Sequence, residues 1–392
     1  MILVNPGGRY VEIDENWEYW LEQPGFRRAT DQEEKEYRSR RLMEHARLTG
    51  DTSHKDALYF VSVSDRGGAD GYGMSSKHLV EALENAGVAL SEYYTEQDIG
   101  LLYHSPHSIT RLNTNYKIIY TMFESDKIPE DWIDYLHAAD LVIVPSHWCQ
   151  KIFKESGIKS IVVPLGYNDK VFKYIKRPKR DVFTFLHYNA FNTRKGHFEV
   201  MEAFDNEFKP DEKVRLLLKT ARDHVSVPIN KGAYPNVDVI YGKVSEQELA
   251  EICGKADAFV FPSRGEGFGC TPLEAMATGL PAIIPNAHGI SEYFDGGLMY
   301  GVDATEKCTA IYRRLTDVGN MVKCDVKDLQ RQMRYVFEHQ KEAREKGKRS
   351  SDYVKQYSYT KTGEKLKDII EEIKSKPIPK RKVSDILPLQ EV

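Results

Sequence analysis

Apolar and polar positions alternate in blocks along this chain, and the period within each block predicts its elements. After a short apolar start and a polar, charged stretch over 9–56 with a helical pattern over 31–48, the first convincing apolar run, Leu58-Tyr-Phe-Val-Ser-Val-Ser64, enters the glycine-rich turn Arg66-Gly-Gly-Ala-Asp-Gly-Tyr-Gly73. A run bounded in this way reads as a buried strand, and the helical period after it predicts a helix over 75–86. Strands over 99–103, 117–122, 141–144 and 160–164 then alternate with helices over 130–138 and 148–156. Such alternation predicts a parallel sheet. Residues 168–181, with the basic run Lys176-Arg-Pro-Lys-Arg180, interrupt the pattern as a linker, and Val182-Phe-Thr-Phe-Leu186 restarts it. Strands follow over 214–219, 237–241, 258–261 and 281–284, and helices over 197–208 and 246–254, near Pro272, over 328–349 and over 360–375. The chain is therefore read as α/β. It has an extension of unassigned role over 1–56, a first domain over 57–175 and a second over 176–355. A helix over 356–375 is expected to pack back on the first domain, ahead of a flexible tail over 376–392.

Length agrees with two domains, because 392 residues exceed the ~250–300 that one core organises. A net charge of −4 does not favour a polyanionic partner, which most often meets a strongly basic domain. The cysteines, Cys149, Cys253, Cys270, Cys308 and Cys324, are odd in number and show no CxxC spacing, so they read as reduced thiols of a cytoplasmic protein. No basic segment leads into a long apolar stretch at the N-terminus, and no apolar run approaches 18 residues. Neither a signal peptide nor a membrane span is expected.

The chemistry concentrates in Phe261-Pro-Ser-Arg-Gly-Glu-Gly-Phe-Gly-Cys-Thr-Pro-Leu-Glu-Ala-Met-Ala277, where a strand runs through glycines into a helix. Thr271, Pro272 and Glu274 have the spacing of an N-cap, a first-turn proline and a capping-box acid, and that pattern alone commonly means only a cap. A helix N-terminus at a strand end also offers free N–H groups to an anion such as a diphosphate.

The same stretch resembles the Glu-x7-Glu signature of retaining glycosyltransferases of the GT-B fold, family 4 in particular, with Glu266 and Glu274 as the pair. The resemblance implies two Rossmann-like domains facing a central cleft. It implies that Glu274 bonds the ribose hydroxyls of a nucleoside-diphosphate sugar and that Glu266 faces the sugar, with Gly267, Phe268, Gly269, Cys270 and Thr271 also at the donor. Phe183 to Gly196 resembles the first strand and phosphate loop of the donor domain, so Arg194 and Lys195 are expected to grip the diphosphate, with Lys219 as a further contact. Several family members carry an arginine a few residues earlier, where this chain has Asn189. Residues 118–147 resemble the acceptor-domain core. Glu124 stands where many relatives have a histidine and is the candidate for contact with the sugar or acceptor. Gly67 and Gly68 are expected against the donor phosphates. Ser146 reads as an N-cap and, with His147, as a lining of the cleft, whereas His104 and His107 read as structural.

No Asp-x-Asp motif and no metal-ligand spacing occurs, so no metal or other cofactor is expected. The reaction implied is metal-independent transfer to an acceptor hydroxyl with retention, through front-face attack assisted by the leaving diphosphate. Alternative readings are a nucleotide-sugar epimerase or hydrolase and a non-catalytic nucleotide-sugar-binding protein. A further one is a transferase acting on a modified nucleic-acid base through the basic linker Lys173 to Arg180.

Overall fold

The computed structural model describes residues 2–5, 10–12, 21–22, 24–49, 56–62, 71–91, 97–222, 232, 234–312 and 317–380. A six-stranded sheet in the first half runs Leu90–Ser91, Leu58–Val61, Ile99–Tyr103, Tyr116–Tyr120, Leu141–Val144, Ile161–Val162 across its width. A second six-stranded sheet runs Val237–Ile240, Val214–Lys219, Phe183–Tyr188, Ala258–Val260, Ala282–Pro285, Tyr300–Val302. Every pairing in both is parallel. Parallel strands are covered on both faces, which is why they read as continuous apolar runs; all five residues of Ile99–Tyr103 are buried.

In each sheet the chain starts inside, winds to one edge, then passes its starting strand and winds the other way. Loops part at that reversal and leave a crevice at the carboxyl ends of the strands. In the second sheet the reversal lies between Phe183–Tyr188 and Ala258–Val260, so the segments after Tyr188 and Val260 border it. Those segments hold Arg194, Lys195 and the glycine-rich motif.

The largest apolar cluster spans both halves: Phe60, Tyr103 and Tyr120 share it with Phe259, Phe268 and Tyr293. The helix Tyr359–Lys374, capped by Ser358 accepting from Lys361 N, adds Leu366, Ile370 and Ile373 to it. That helix lies against Gly71–Asn85, and Thr362 Oγ1 donates to Pro164 O at 2.9 Å. The basic linker is partly turned inward. Arg177 donates to Cys253 O, Ala256 O and Thr278 O, and Arg180 pairs with Asp257 at 2.9 Å.

Two regions go beyond the sequence reading. Ile2–Val4 forms a small antiparallel sheet with Tyr10–Glu12 and Arg27–Arg28, ahead of the helix Asp31–Thr49, which stands where the helical pattern over 31–48 placed it and whose start Thr30 and Glu33 cap reciprocally. Ala304–Thr309 and Asn320–Cys324 form an antiparallel hairpin that reaches the first domain. No position of Ala304–Thr309 is buried, so no apolar alternation announced it.

Candidate active site

The phosphate-loop candidates are presented by local backbone chemistry. After Tyr188 the chain turns, and the Asn192 side chain accepts from Lys195 N, closing the 3-10 turn Thr193–Lys195. Lys195 Nζ then lies 2.6 Å from Glu266 Oε1, and Arg194 Nη1 lies 3.2 Å from Glu266 Oε2. Ser263 Oγ donates to Glu266 Oε1 at 2.7 Å. Arg194 also donates to Gly265 O and reaches Glu124 Oε1 of the first domain at 3.4 Å. Burial alone would raise the Glu266 carboxyl, but Lys195 and Arg194 outweigh it and hold the pKa at about 2. Burial, with the adjacent Arg194, pulls the Lys195 ammonium down. The four charged groups thus pair two cations with two carboxylates.

The motif glycines are required by this closeness. A side chain on Gly265 would collide with the Glu124 carbonyl. Gly269, at φ 87°, is the residue from which the chain enters the helix Cys270–Ala277. This corrects the expected capping box: the helix begins before Thr271, its N-cap is Gly269, and no side chain caps it. A left-handed glycine sets the entry instead, and Glu274 is left inside the helix, free to point elsewhere. Its Oε2 receives the Tyr188 hydroxyl at 3.1 Å, and the same hydroxyl lies 3.0 Å from Thr271 O. Burial, reinforced by Glu246, pushes the Glu274 carboxyl up to about 8, with the Tyr188 bond opposing.

Two connected cavities occupy the cleft. One of about 330 Å³ is bordered by His78, Tyr188, Lys219, Lys243, Glu246 and Glu274. The other, about 370 Å³, is bordered by Tyr72, Met122, Glu124, Arg194, Lys195 and Glu266, together with Gly267, Phe268 and Gly269. Cys270, Thr271, Asn189 and Gly71 line both, so the start of the Cys270–Ala277 helix is the waist between them.

The expected site residues therefore meet in one cleft, with two qualifications. Lys219 lies in the lobe of Glu274, away from Arg194 and Lys195, and its ammonium donates to Thr220 O and Gly242 O. Gly67 and Gly68 fall outside the described residues. Ser146 does two tasks: it accepts from Cys149 N as an N-cap and donates to Gly267 O at 2.7 Å across the cleft. His147 pairs with Glu292 at 2.9 Å. His107 bonds Ser105 and Asp131, and the His104 ring packs on Tyr72.

Sequence reasoning missed Tyr188, Tyr72, and the bridge in which Glu246 receives His78 (2.8 Å) and Asn168 (2.9 Å) from the first domain. It also missed Tyr312, whose hydroxyl donates to Glu124 Oε2 at 2.8 Å. The one available signal was for Tyr188, which follows a strand aimed at the crevice. His288 was missed too; it is buried at φ 42° and bonds Ser263 O at 3.1 Å, and burial pushes its pKa down to about 4. Among the described residues no three His, Cys, Asp or Glu side chains converge as metal ligands, and no helix is long and apolar enough to cross a membrane.

Two doubly wound domains, opposed across a cleft with a phosphate-type turn and a helix N-terminus at the second switch point, define the GT-B fold. Residues 169–298 match the family Glycosyl transferases group 1, and the match includes Arg194, Lys195, Glu266 and Glu274. The ORF313 protein of Acidianus filamentous virus 1, which carries a glycosyltransferase name, is 30% identical over 203 residues, 49% of this chain and 58% of that protein. Mannosylfructose-phosphate synthase of Agrobacterium fabrum is 26% identical over 289 residues, 65% of this chain and 60% of the synthase. The chain thus spans less than two thirds of these relatives. Among solved structures, Anabaena HepE in complex with UDP superposes with a TM-score of 0.60 at 14% identity, over 81% of this chain and 100% of HepE.

Proposed function

We propose that this protein is a glycosyltransferase that moves a hexosyl group from a nucleoside-diphosphate sugar to an acceptor hydroxyl, with retention and without a metal. The observation that carries the reading is the two-lobed cleft, with Glu274 in one lobe, Glu266, Arg194 and Lys195 in the other, and a helix N-terminus between them. The nucleoside would occupy the first lobe, its ribose hydroxyls donating to Glu274. The diphosphate would lie at the waist, and the sugar beside Glu266 and Glu124. The UDP in the HepE complex and the product named for the Agrobacterium synthase support a nucleotide donor and a sugar-like acceptor.

In the transfer, the bond from the anomeric carbon to the diphosphate oxygen breaks, and the acceptor oxygen bonds to that carbon from the same face. The acceptor proton passes to the departing oxygen. Charge therefore develops on the diphosphate, where Arg194, Lys195 and the helix N–H groups would stabilise it. Tight apposition of the domains would exclude water, so that transfer outcompetes hydrolysis.

The test is a thermal-shift and turnover screen against UDP-, GDP- and ADP-sugars in EDTA, with Glu274→Ala alongside and the product anomer read by NMR. Stabilisation by one nucleotide, turnover in EDTA, loss of both in the mutant and a retained anomer are expected. An inverted anomer overturns retention. Complete turnover of donor without an acceptor replaces the reading with a hydrolase or epimerase, and no binding by any nucleotide sugar overturns it.

A further inference from the structure

Glu124 belongs to the first domain, yet both groups that hold its carboxylate come from the second. Arg194 Nη2 approaches Oε1 at 3.4 Å, and the Tyr312 hydroxyl donates to Oε2 at 2.8 Å. Tyr312 stands beyond the strand Ala304–Thr309, at a point the alternating βα plan of the domain does not require.

The hairpin that carries it is fastened to the Glu124 segment residue by residue. The Tyr312 ring stacks on Phe123 with centroids 5.1 Å apart and planes 28° apart. Ser125 Oγ donates to Val318 O at 2.5 Å, and Asp126 N donates to Asn320 O at 2.9 Å. Asn320 N donates in return to Asp126 Oδ1, and Lys127 pairs with Asp317. Ala310, Val318 and Met321 are buried in one cluster with Phe123, Ile128 and Trp132 of the first domain. Residues 123–127 are therefore set in register against the hairpin, and Glu124 alone among them turns its side chain toward the donor cleft.

We infer that Tyr312 is a positioning residue for the transfer, fixing the Glu124 carboxylate at the sugar lobe through a hydrogen bond supplied by the hairpin. The inference rests on the proposed glycosyl transfer and deepens it. A carboxylate on a loop has several accessible rotamers. A neutral donor on one oxygen and a guanidinium on the other leave it a single orientation, with lone pairs still open to a substrate hydroxyl. A hydrogen bond to a charged group contributes about 1.5–3 kcal/mol, so losing it from the reactive geometry lowers turnover roughly tenfold to a hundredfold.

The test is Tyr312→Phe, which keeps the ring on Phe123 and removes only the hydroxyl, compared with Glu124→Gln and the double variant. Expected is a kcat reduced at least tenfold, with the donor KM and the nucleotide-induced thermal shift as in the wild type. Because Tyr312 acts through Glu124, its removal in the Glu124→Gln background should cost little more. Wild-type kcat in Tyr312→Phe, or losses that multiply in the double variant, overturns the inference while leaving the transferase reading intact. If Tyr312→Phe is destabilised, Tyr312→His, which keeps an N–H donor, is the second variant, and failure of both to separate kcat from thermal stability also overturns it. A wild type that neither binds nor turns over any nucleotide sugar removes the transferase reading, and this inference with it.

Discussion

Lowering the pH from 9 to 7 should weaken nucleotide binding about tenfold, and the reason is one buried carboxyl. Among the described residues no ion pair holds Glu274: burial acts first, Glu246 adds a like charge, and the Tyr188 hydroxyl only partly offsets them, leaving the pKa at about 8. A ribose that donates two hydroxyls needs the ionised carboxylate. At pH 7 about one-tenth of the protein carries it and at pH 9 about nine-tenths, a difference of about 1.4 kcal/mol in apparent affinity. Calorimetry with the nucleoside diphosphate found in the screen, in buffers of different ionisation enthalpy, should show release of nearly one proton per ligand bound at pH 7 and little at pH 9. The same group sets a sign on stability. Its folded pKa lies above the unfolded value, so between about 4.5 and 8 the folded state holds more protons and stability falls as pH rises, levelling above 8. Glu274→Gln should therefore melt at a higher temperature than wild type at pH 8.5 while losing nucleotide affinity. Affinity flat from pH 7 to 9, together with wild-type binding by Glu274→Gln, would refute this role for Glu274.

Three further outcomes follow from the charged core of the cleft. Lys195→Met leaves Glu266 buried with a diminished counter-charge, so chemical denaturation at pH 7 should show a loss of about 3 kcal/mol or more; a loss under 1 kcal/mol would contradict the pairing. Gly265→Ala inserts a methyl against the Glu124 carbonyl, so kcat should drop at least tenfold while the nucleotide-induced thermal shift, which depends on the other lobe, survives. Arg194→Lys keeps the charge but cannot span Gly265 O, Glu266 and Glu124 as the guanidinium does. It should retain nucleotide binding and lose most turnover, and wild-type kcat in this variant would show that the two-carboxylate bridge is dispensable.

Much of this architecture was legible because parallel strands are buried on both faces. Ile99–Tyr103 and Val214–Lys219 stand where the apolar runs predicted them, and the glycine motif, being local in sequence, located the crevice before any strand order was known. What sequence could not show falls into two physical kinds. Cross-domain partners such as His78 with Glu246, 168 positions apart, leave no local pattern. The hairpin strand Ala304–Thr309 has no buried face and so no period. The misplaced cap is a different lesson: Thr271 and Glu274 have the spacing of a capping box, as do Ser245 and Glu248, where both reciprocal bonds form. Spacing was the same in both places. The difference is Gly269, whose left-handed backbone turns the chain into the helix before a side-chain cap is needed.

The cleft is bridged by its own groups, and this bears on how a donor would be held. Arg194 and Lys195 are neutralised by Glu266 and Glu124, and Ser146 to Gly267 and His78 to Glu246 tie the two domains together. A diphosphate arriving there would share these cations with the two carboxylates, because a guanidinium has five N–H donors and an ammonium three. Of the three ion pairs made by Arg194 and Lys195, that of Arg194 with Glu124 is the longest and is the one that reaches the first domain. With Arg194 on one oxygen and Tyr312 on the other, Glu124 keeps lone pairs open to a substrate hydroxyl. On the proposed transferase reading, the same arginine would therefore meet both the donor diphosphate and the carboxylate beside the acceptor.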